Sequence, residues 1–137
     1  MALNLSPEQG VKLTKKDRAH VLKKMKQGWK ATCLIPDYVF DENGNIQINS
    51  DMNRRVVKIV KILDDGIHIE KALKTKTLRI QWHKIIEINK SKEVKNGLEI
   101  KMHDGRYVTF SIYNSYKYQQ IMEFIANYIA KKCSETH

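Results

Sequence analysis

Two segments of the chain show the periodicity of an amphipathic helix, one near each end. The first is predicted over Lys15–Gln27, because Thr14 can cap its free N–H groups and Gly28 can adopt the left-handed conformation that ends a helix. We expect its buried stripe to consist of apolar residues at helical spacing, namely Ala19, Leu22, Met25 and Trp29. The second is predicted over residues 116–132, with a broad apolar face formed by Tyr118, Ile121, Met122, Ile125, Tyr128 and Ile129.

Between these helices, short runs alternate apolar and polar residues as half-buried strands do, and turn signals separate them. The predicted strands are residues 31–35, 46–50, 54–63, 67–70, 78–82, 85–88, 98–102 and 106–112. Asn43-Gly44, Asp65-Gly66 and Asp104-Gly105 predict hairpin turns, and the short connections imply antiparallel pairing. Residues 1–10 show no such pattern, and we expect them to be loose.

The order of elements predicts a mostly β fold with some α. The apolar face of the C-terminal helix must cover a surface, and the open end or face of a curved antiparallel sheet is the one available, while the basic N-terminal helix precedes the sheet. With 137 residues, 42% hydrophobic and 29% charged, the chain fits one globular unit. We expect residues 1–30 to form a tail and the basic amphipathic helix, and residues 31–137 the sheet with its C-terminal helix.

Composition excludes several classes of protein. No apolar run is long enough to span a bilayer, and the first residues lack the basic start and apolar stretch of a signal peptide, so we expect a cytoplasmic protein. Cys33 and Cys133 lie far apart without a CxxC pair, which favours free thiols over a zinc site.

Charge is distributed unevenly. The net charge is +10, from 25 Lys and Arg against 15 Asp and Glu. Residues 31–53 contain four acidic and no basic residues, whereas the segments on both sides are strongly basic. Such a field favours an anionic partner: an acidic protein, an acidic lipid surface or nucleic acid. The alternative is that the charge only keeps the protein soluble.

The candidate anion-binding residues lie in three places. A short connection between two predicted strands contains Lys71, Lys74 and Lys76, and Arg79 follows it. The N-terminal helix and the residues after it contribute Lys16, Lys23, Lys26 and Lys30, and Arg54 and Arg55 begin a strand. Exposed aromatic residues such as Trp82 or Tyr113 could stack on bases, which would suit nucleic acid.

Several features together resemble the pleckstrin-homology-like superfold, and more narrowly the small bacterial pleckstrin-homology and GRAM-type domains. They are the Asp65-Gly66 turn, the basic connection, the stretch from Ile80 through Trp82-His83-Lys84-Ile85 to Ile88, the Asp104-Gly105 hairpin and the closing helix. The resemblance covers about residues 54–132. It implies that the sheet is a partly open antiparallel β-barrel capped by the C-terminal helix, which serves as a platform for inositol phospholipids, proteins or, less often, nucleic acids.

Catalytic chemistry has little support in the sequence. The five histidines belong to unrelated predicted elements, and no glycine-rich loop could cradle a phosphate. We therefore expect no enzymatic activity, cofactor or metal. The leading hypothesis is a binding or adaptor domain, cytoplasmic or peripheral to a membrane, that recognises an acidic protein or an anionic membrane surface. The alternative is a nucleic-acid-binding protein.

Overall fold

The computed structural model describes residues 2–4, 13–40, 46–70, 78–112 and 118–136, with side chains for residues 13–34, 57–70, 78–112 and 119–136. The elements in chain order are β1 (Ala2–Asn4), α1 (Lys15–Gln27), β2 (Trp29–Phe40), β3 (Ile46–Ile62), β4 (Gly66–Glu70), β5 (Leu78–Gln81), a 3-10 helix (Trp82–Lys84), β6 (Ile85–Lys90), β7 (Gly97–Met102), β8 (Tyr107–Ser111) and α2 (Tyr118–Thr136).

All eight strands form one sheet in the order β1-β6-β7-β8-β2-β3-β4-β5. Every neighbouring pair is antiparallel except β1 and β6, which run parallel. Within the described residues, the edge strands β1 and β5 do not pair with each other, so the sheet is open. The mostly β fold with a helix at each end is confirmed. The expectation that residues 1–10 are loose was wrong for Ala2–Asn4, because a distant strand supplies their hydrogen-bonding partner.

The core lies between one face of the sheet and α2. Alternate residues of the central strands are buried, as the two-residue period requires. α2 buries Ile121, Met122, Ile125, Ala126, Ile129 and Cys133 against the sheet, while Tyr128 is only half-buried. Burial of this stripe explains why the C-terminal segment forms a helix of 19 residues.

The predicted bounds of α1 are confirmed, and so is its cap. The hydroxyl of Thr14 accepts a 3.0 Å hydrogen bond from the N–H of Asp17, whose carboxylate accepts one of 3.3 Å from the N–H of Thr14. This reciprocal arrangement satisfies two N–H groups that would otherwise lack partners. The predicted stripe was wrong in part: α1 buries Val21 and Met25 in the same hydrophobic cluster as the sheet, whereas Ala19 is exposed.

The β2–β3 hairpin is longer than predicted. One 17-residue strand, β3, replaces the two strands expected over residues 46–50 and 54–63. Its pairing with β2 shifts at Pro36: Ile35 pairs with Arg54, but Asp37 pairs with Asn49. Four residues of β3 therefore lie opposite Pro36 alone, which is consistent with a proline that has no N–H to donate. The predicted turn at Asn43-Gly44 lies outside the described residues.

Candidate anion-binding surface

Helix α1 presents lysines to solvent from a fixed position. Lys16, Lys23 and Lys26 are exposed, and Lys30 is exposed on β2 just beyond the helix. The Thr14 cap and the buried Val21 and Met25 determine which side of the helix faces outward. Lys16 and Lys26 are ten residues apart, so the row of charges extends about 15 Å along the helix axis.

A second group of basic residues lies on the outer face, which we define as the face of β2–β5 that points away from the core. Strand pairing places Lys61 opposite His68 and His68 opposite Arg79, and places Lys30 opposite Ile59. The intervening residues Val60, Ile69 and Ile80 are buried, so the alternation identifies this face as the outer one. Directly opposed residues in such a sheet lie about 5 Å apart.

Gly28 joins α1 to the outer face. Its φ of +96° is a backbone conformation that side-chain-bearing residues rarely adopt, and its N–H donates a 2.8 Å hydrogen bond to the Lys24 carbonyl oxygen. A Cβ added at Gly28 would lie 2.9 Å from both Ile59 Cγ2 and Lys61 Cγ. The end of α1 therefore sits directly against the outer face, and the lysines of α1 continue onto the sheet.

Acidic residues neutralise part of the outer face. Lys61 Nζ lies 2.6 Å from Glu70 Oε1, and His68 Nε2 lies 2.9 Å and 3.0 Å from the two carboxylate oxygens of Asp65. The hydrogen bond with His68 lowers the pKa of Asp65 below its ordinary value of 3.8. Arg79 also interacts electrostatically with Asp65, although no ion pair with it forms, and Lys30 and the exposed lysines of α1 have no ion pair within the described residues.

We call Lys16, Lys23, Lys26, Lys30 and Arg79 the basic surface. Each is exposed, and none of the five forms an ion pair with another residue that the structure describes. The structure thus connects two of the places in which the sequence predicted anion-binding residues.

The side chains of the two predicted arginines, Arg54 and Arg55, lie outside those that the structure describes. In the backbone register, Arg55 pairs with Leu34 and Arg54 pairs with Ile35. Their role in anion binding stays a prediction.

The basic connection with Lys71, Lys74 and Lys76 lies outside the described residues. It follows Glu70, which pairs with Ile59, and Ile59 in turn pairs with Lys30. The point at which the chain leaves β4 is therefore next to the basic surface.

The sequence reasoning missed Lys61 and His68 as neighbours on this face. The tight Asp65-Gly66 turn could have predicted that Lys61 and His68 are neighbours, because a hairpin turn sets the register of its two strands. Trp82 was wrongly considered as an exposed stacking residue: it is 3% exposed, and its indole N–H donates to the Asp64 carbonyl oxygen at 2.8 Å. Tyr113 lies outside the described residues.

A separate open pocket lies beside the β6–β7 connection. Its lining combines amide, hydroxyl and both signs of charge: Asn89, Lys90, Ser91, Lys92, Glu93 and Glu99. The hydroxyl of Ser91 accepts hydrogen bonds from the N–H groups of Glu93 and Val94, so it shapes the turn. Two carboxylates make this pocket a poorer anion site than the basic surface.

Two other features are absent from the described part of the chain. No three His, Cys, Asp or Glu side chains there are grouped so that they could hold a metal ion. No helix within those residues has the length and apolar character needed to span a bilayer.

Comparison with known proteins identifies the fold. No family model matches the sequence, and no curated protein matches it. In structure, the chain is similar to inner membrane complex sub-compartment protein 3 from Toxoplasma gondii, with a TM-score of 0.60 and 11% identity, over 91% of this chain and 89% of that one. This similarity, together with the open antiparallel sheet and its C-terminal helix, supports the predicted pleckstrin-homology-like fold. At such low identity it shows the fold alone.

Proposed function

We propose that this protein is a non-enzymatic binding module that recognises an acidic protein or an anionic membrane surface through the basic surface. The observation that carries the proposal is five exposed cations without ion-pair partners among the described residues, on a helix and sheet that are packed together. A cytoplasmic location, at times peripheral to a membrane, is part of the same proposal.

Rigidity supports a binding role. Val21 and Met25 are almost fully buried, and Gly28 contacts the outer face closely, so α1 cannot turn its lysines away without losing core contacts. Charges held in place lose less conformational entropy on binding than charges on a mobile tail. Their summed field also attracts anions over about 8 to 10 Å at physiological salt.

Side-chain chemistry supports the non-enzymatic part of the proposal. Burial raises the pKa of the Cys33 thiol to about 12 and that of Cys133 to about 11, so neither supplies a thiolate at neutral pH. The ring Nε2 of His103 is bonded to the backbone carbonyl oxygen of His83 at 3.1 Å, and His68 is bonded to Asp65. The first contact holds the His103 ring against the backbone, and the second ties His68 to the β3–β4 turn, as structural histidines are held.

Binding to nucleic acid is the alternative, and the same basic surface would carry it. The spacing of the α1 lysines suits a row of phosphates, although burial of Trp82 removes one of the two aromatic residues considered for stacking on bases.

The test compares two variants with the same loss of charge. One carries Lys→Gln at Lys16, Lys23, Lys26 and Lys30; the control carries Lys→Gln at four exposed lysines elsewhere, Lys92, Lys95, Lys101 and Lys131. Both are titrated against polyglutamate, phosphatidylserine-containing vesicles and duplex DNA over a salt series. We expect the first variant to bind polyglutamate or vesicles at least about tenfold more weakly than the control.

The binding of the wild type and of the two variants distinguishes the proposal from its alternatives. Absence of wild-type binding to every probe at low salt would contradict the proposal, and equal losses in the two variants would show that only net charge matters. Binding to duplex DNA alone would favour the nucleic-acid alternative. It would be established if the slope of log affinity against log salt concentration were flatter by roughly three units in the first variant.

A further inference from the structure

Val57 is an exposed apolar side chain on the outer face. It is 62% exposed, the only large hydrophobic residue so exposed among the side chains that the structure describes. Two other residues of β3, Val60 and Ile62, are fully buried. Alternation explains why Val57 points outward, and because more than half of its surface is exposed, it lies outside the core and is accessible to a partner.

Strand pairing places Val57 within the field of the basic surface. Val57 pairs with Thr32, and the next pair on the same face is Lys30 with Ile59. Lys30 is therefore a diagonal neighbour of Val57, about 7 to 8 Å away between backbone positions. Ile59 is half-buried beside both. An apolar spot formed by Val57 and Ile59 thus adjoins exposed cations.

The relative lengths of the side chains decide which partner can use this spot. The methyl groups of valine are attached directly to Cβ, whereas a lysine ammonium lies at the end of a four-carbon stem. On a flat membrane, lysines would contact the headgroups while Val57 stayed recessed below them. The headgroup region is itself about 5 to 7 Å thick, so Val57 cannot reach the hydrocarbon. A protein side chain, by contrast, can extend inward to it.

We propose that the basic surface binds an acidic protein segment that places an apolar side chain on Val57 and Ile59. This inference rests on the proposed function and narrows it from anionic partners in general to one class. Acidic residues on the segment complement Lys30 and its neighbours, and the apolar contact provides the selectivity that exposed charges alone do not.

The test uses two synthetic peptides of equal length and charge: one alternates glutamate and serine, and the other has leucine in place of the central serines. Wild-type protein should prefer the leucine peptide by several-fold, up to about tenfold, as expected for partial burial of one valine. Val57→Thr keeps the β-branched shape and should abolish the preference without weakening the serine peptide. Thr32→Val adds apolar surface opposite Val57 and should enlarge the preference.

Phosphatidylserine vesicles complete the test, with circular dichroism to show that both variants fold. Vesicle binding should not change in Val57→Thr. An equal preference for the leucine peptide in wild type and Val57→Thr would overturn the inference, and so would a loss of vesicle binding as large as the loss of leucine-peptide binding. If the wild type binds the serine peptide without preferring leucine, only this inference fails. If it binds neither peptides nor vesicles, the proposed function fails with it.

Discussion

The indole N–H of Trp82 donates a 2.8 Å hydrogen bond to the backbone carbonyl oxygen of Asp64, a residue 18 positions earlier in the chain. This contact joins the start of the 3-10 helix to the turn between β3 and β4. It lies where edge strand β5 ends, so it connects the open side of the sheet to the hairpin that carries Lys61 and His68.

We expect Trp82→Phe to lower the free energy of unfolding by at least about 0.5 to 1.5 kcal/mol, because the N–H donor is lost and the phenyl ring fills less of the buried space than the indole. Trp82→Ala should lower it by about 3 to 5 kcal/mol, because a large buried side chain is removed as well. Urea denaturation measures both values. Trp29→Phe is the matched variant for comparison, because it removes an equivalent hydrogen bond. The Trp29 indole N–H donates to the Ser111 carbonyl oxygen at 3.1 Å. A Trp82→Phe variant as stable as wild type would contradict a structural role for the hydrogen bond.

Features of the fold that depend on neighbouring residues were predictable from the sequence. The α1 cap involves residues three positions apart, and the Asp65-Gly66 turn joins adjacent strands. Features that depend on distant residues were not. Which side of α1 is buried depends on how it docks against β3, and the Ala2–Asn4 strand depends on a partner in β6 more than 80 positions away.

The same division applies to the basic surface. The sequence identified its charged residues, but only strand register shows that Lys30 adjoins Val57. The shift at Pro36 could not be derived from local pattern, because four residues of β3 lie opposite that one proline. The exposure of Val57 could not be predicted from the sequence either, because alternation alone does not say which face of a β-branched strand is covered.

Gly28→Ala should destabilise the protein more than Gly105→Ala does. Both glycines have positive φ, +96° and +87°, so either substitution strains the backbone by about 1 to 2 kcal/mol. A Cβ at Gly28 would also meet Ile59 and Lys61 at 2.9 Å, whereas a Cβ at Gly105 would meet nothing within 4 Å. Chemical denaturation of the two variants separates backbone strain from steric contact. Equal losses of stability would show that α1 does not sit against the outer face.

The buried thiols should make stability depend on pH above 9. Burial raises the pKa of Cys33 from 9.0 to about 12 and that of Cys133 from 9.0 to about 11. Because the folded-state values are the higher ones, the contribution of each thiol to stability is complete below pH 9. It is lost as the pH rises from there toward the folded-state pKa, since the unfolded chain ionises first.

We therefore expect the stability gap between wild type and Cys33→Ala to narrow by about 1.4 kcal/mol for each pH unit above 9. Cys133→Ala should behave in the same way over a shorter range. Urea denaturation at about pH 8 and about pH 10.5 measures the gap, and the alanine variants act as controls for lysine and tyrosine ionisation. A gap that stays constant with pH would show that the thiols are accessible in the folded protein.

Lys71, Lys74 and Lys76 belong to the connection between β4 and β5. Glu70 precedes them and pairs with Ile59, the partner of Lys30, so the connection leaves the sheet beside the basic surface. Reversing all three to Glu should change the free energy of unfolding by less than about 0.5 kcal/mol each if they are solvated. It should weaken binding to phosphatidylserine vesicles by about 1 kcal/mol for each lysine near the surface.

The control reverses three exposed lysines elsewhere, Lys92 and Lys95 in the β6–β7 connection and Lys101 on β7, with the same change in net charge. A larger loss of vesicle or polyglutamate binding in the first variant would extend the basic surface to the connection, because only position distinguishes the two variants. Equal losses would confine the surface to α1, Lys30 and Arg79. A marked drop in the melting temperature of the first variant would instead mean that these lysines make structural contacts. Their role in binding would then be tested with Lys→Gln at the same three positions, because glutamine removes the charge without adding repulsion.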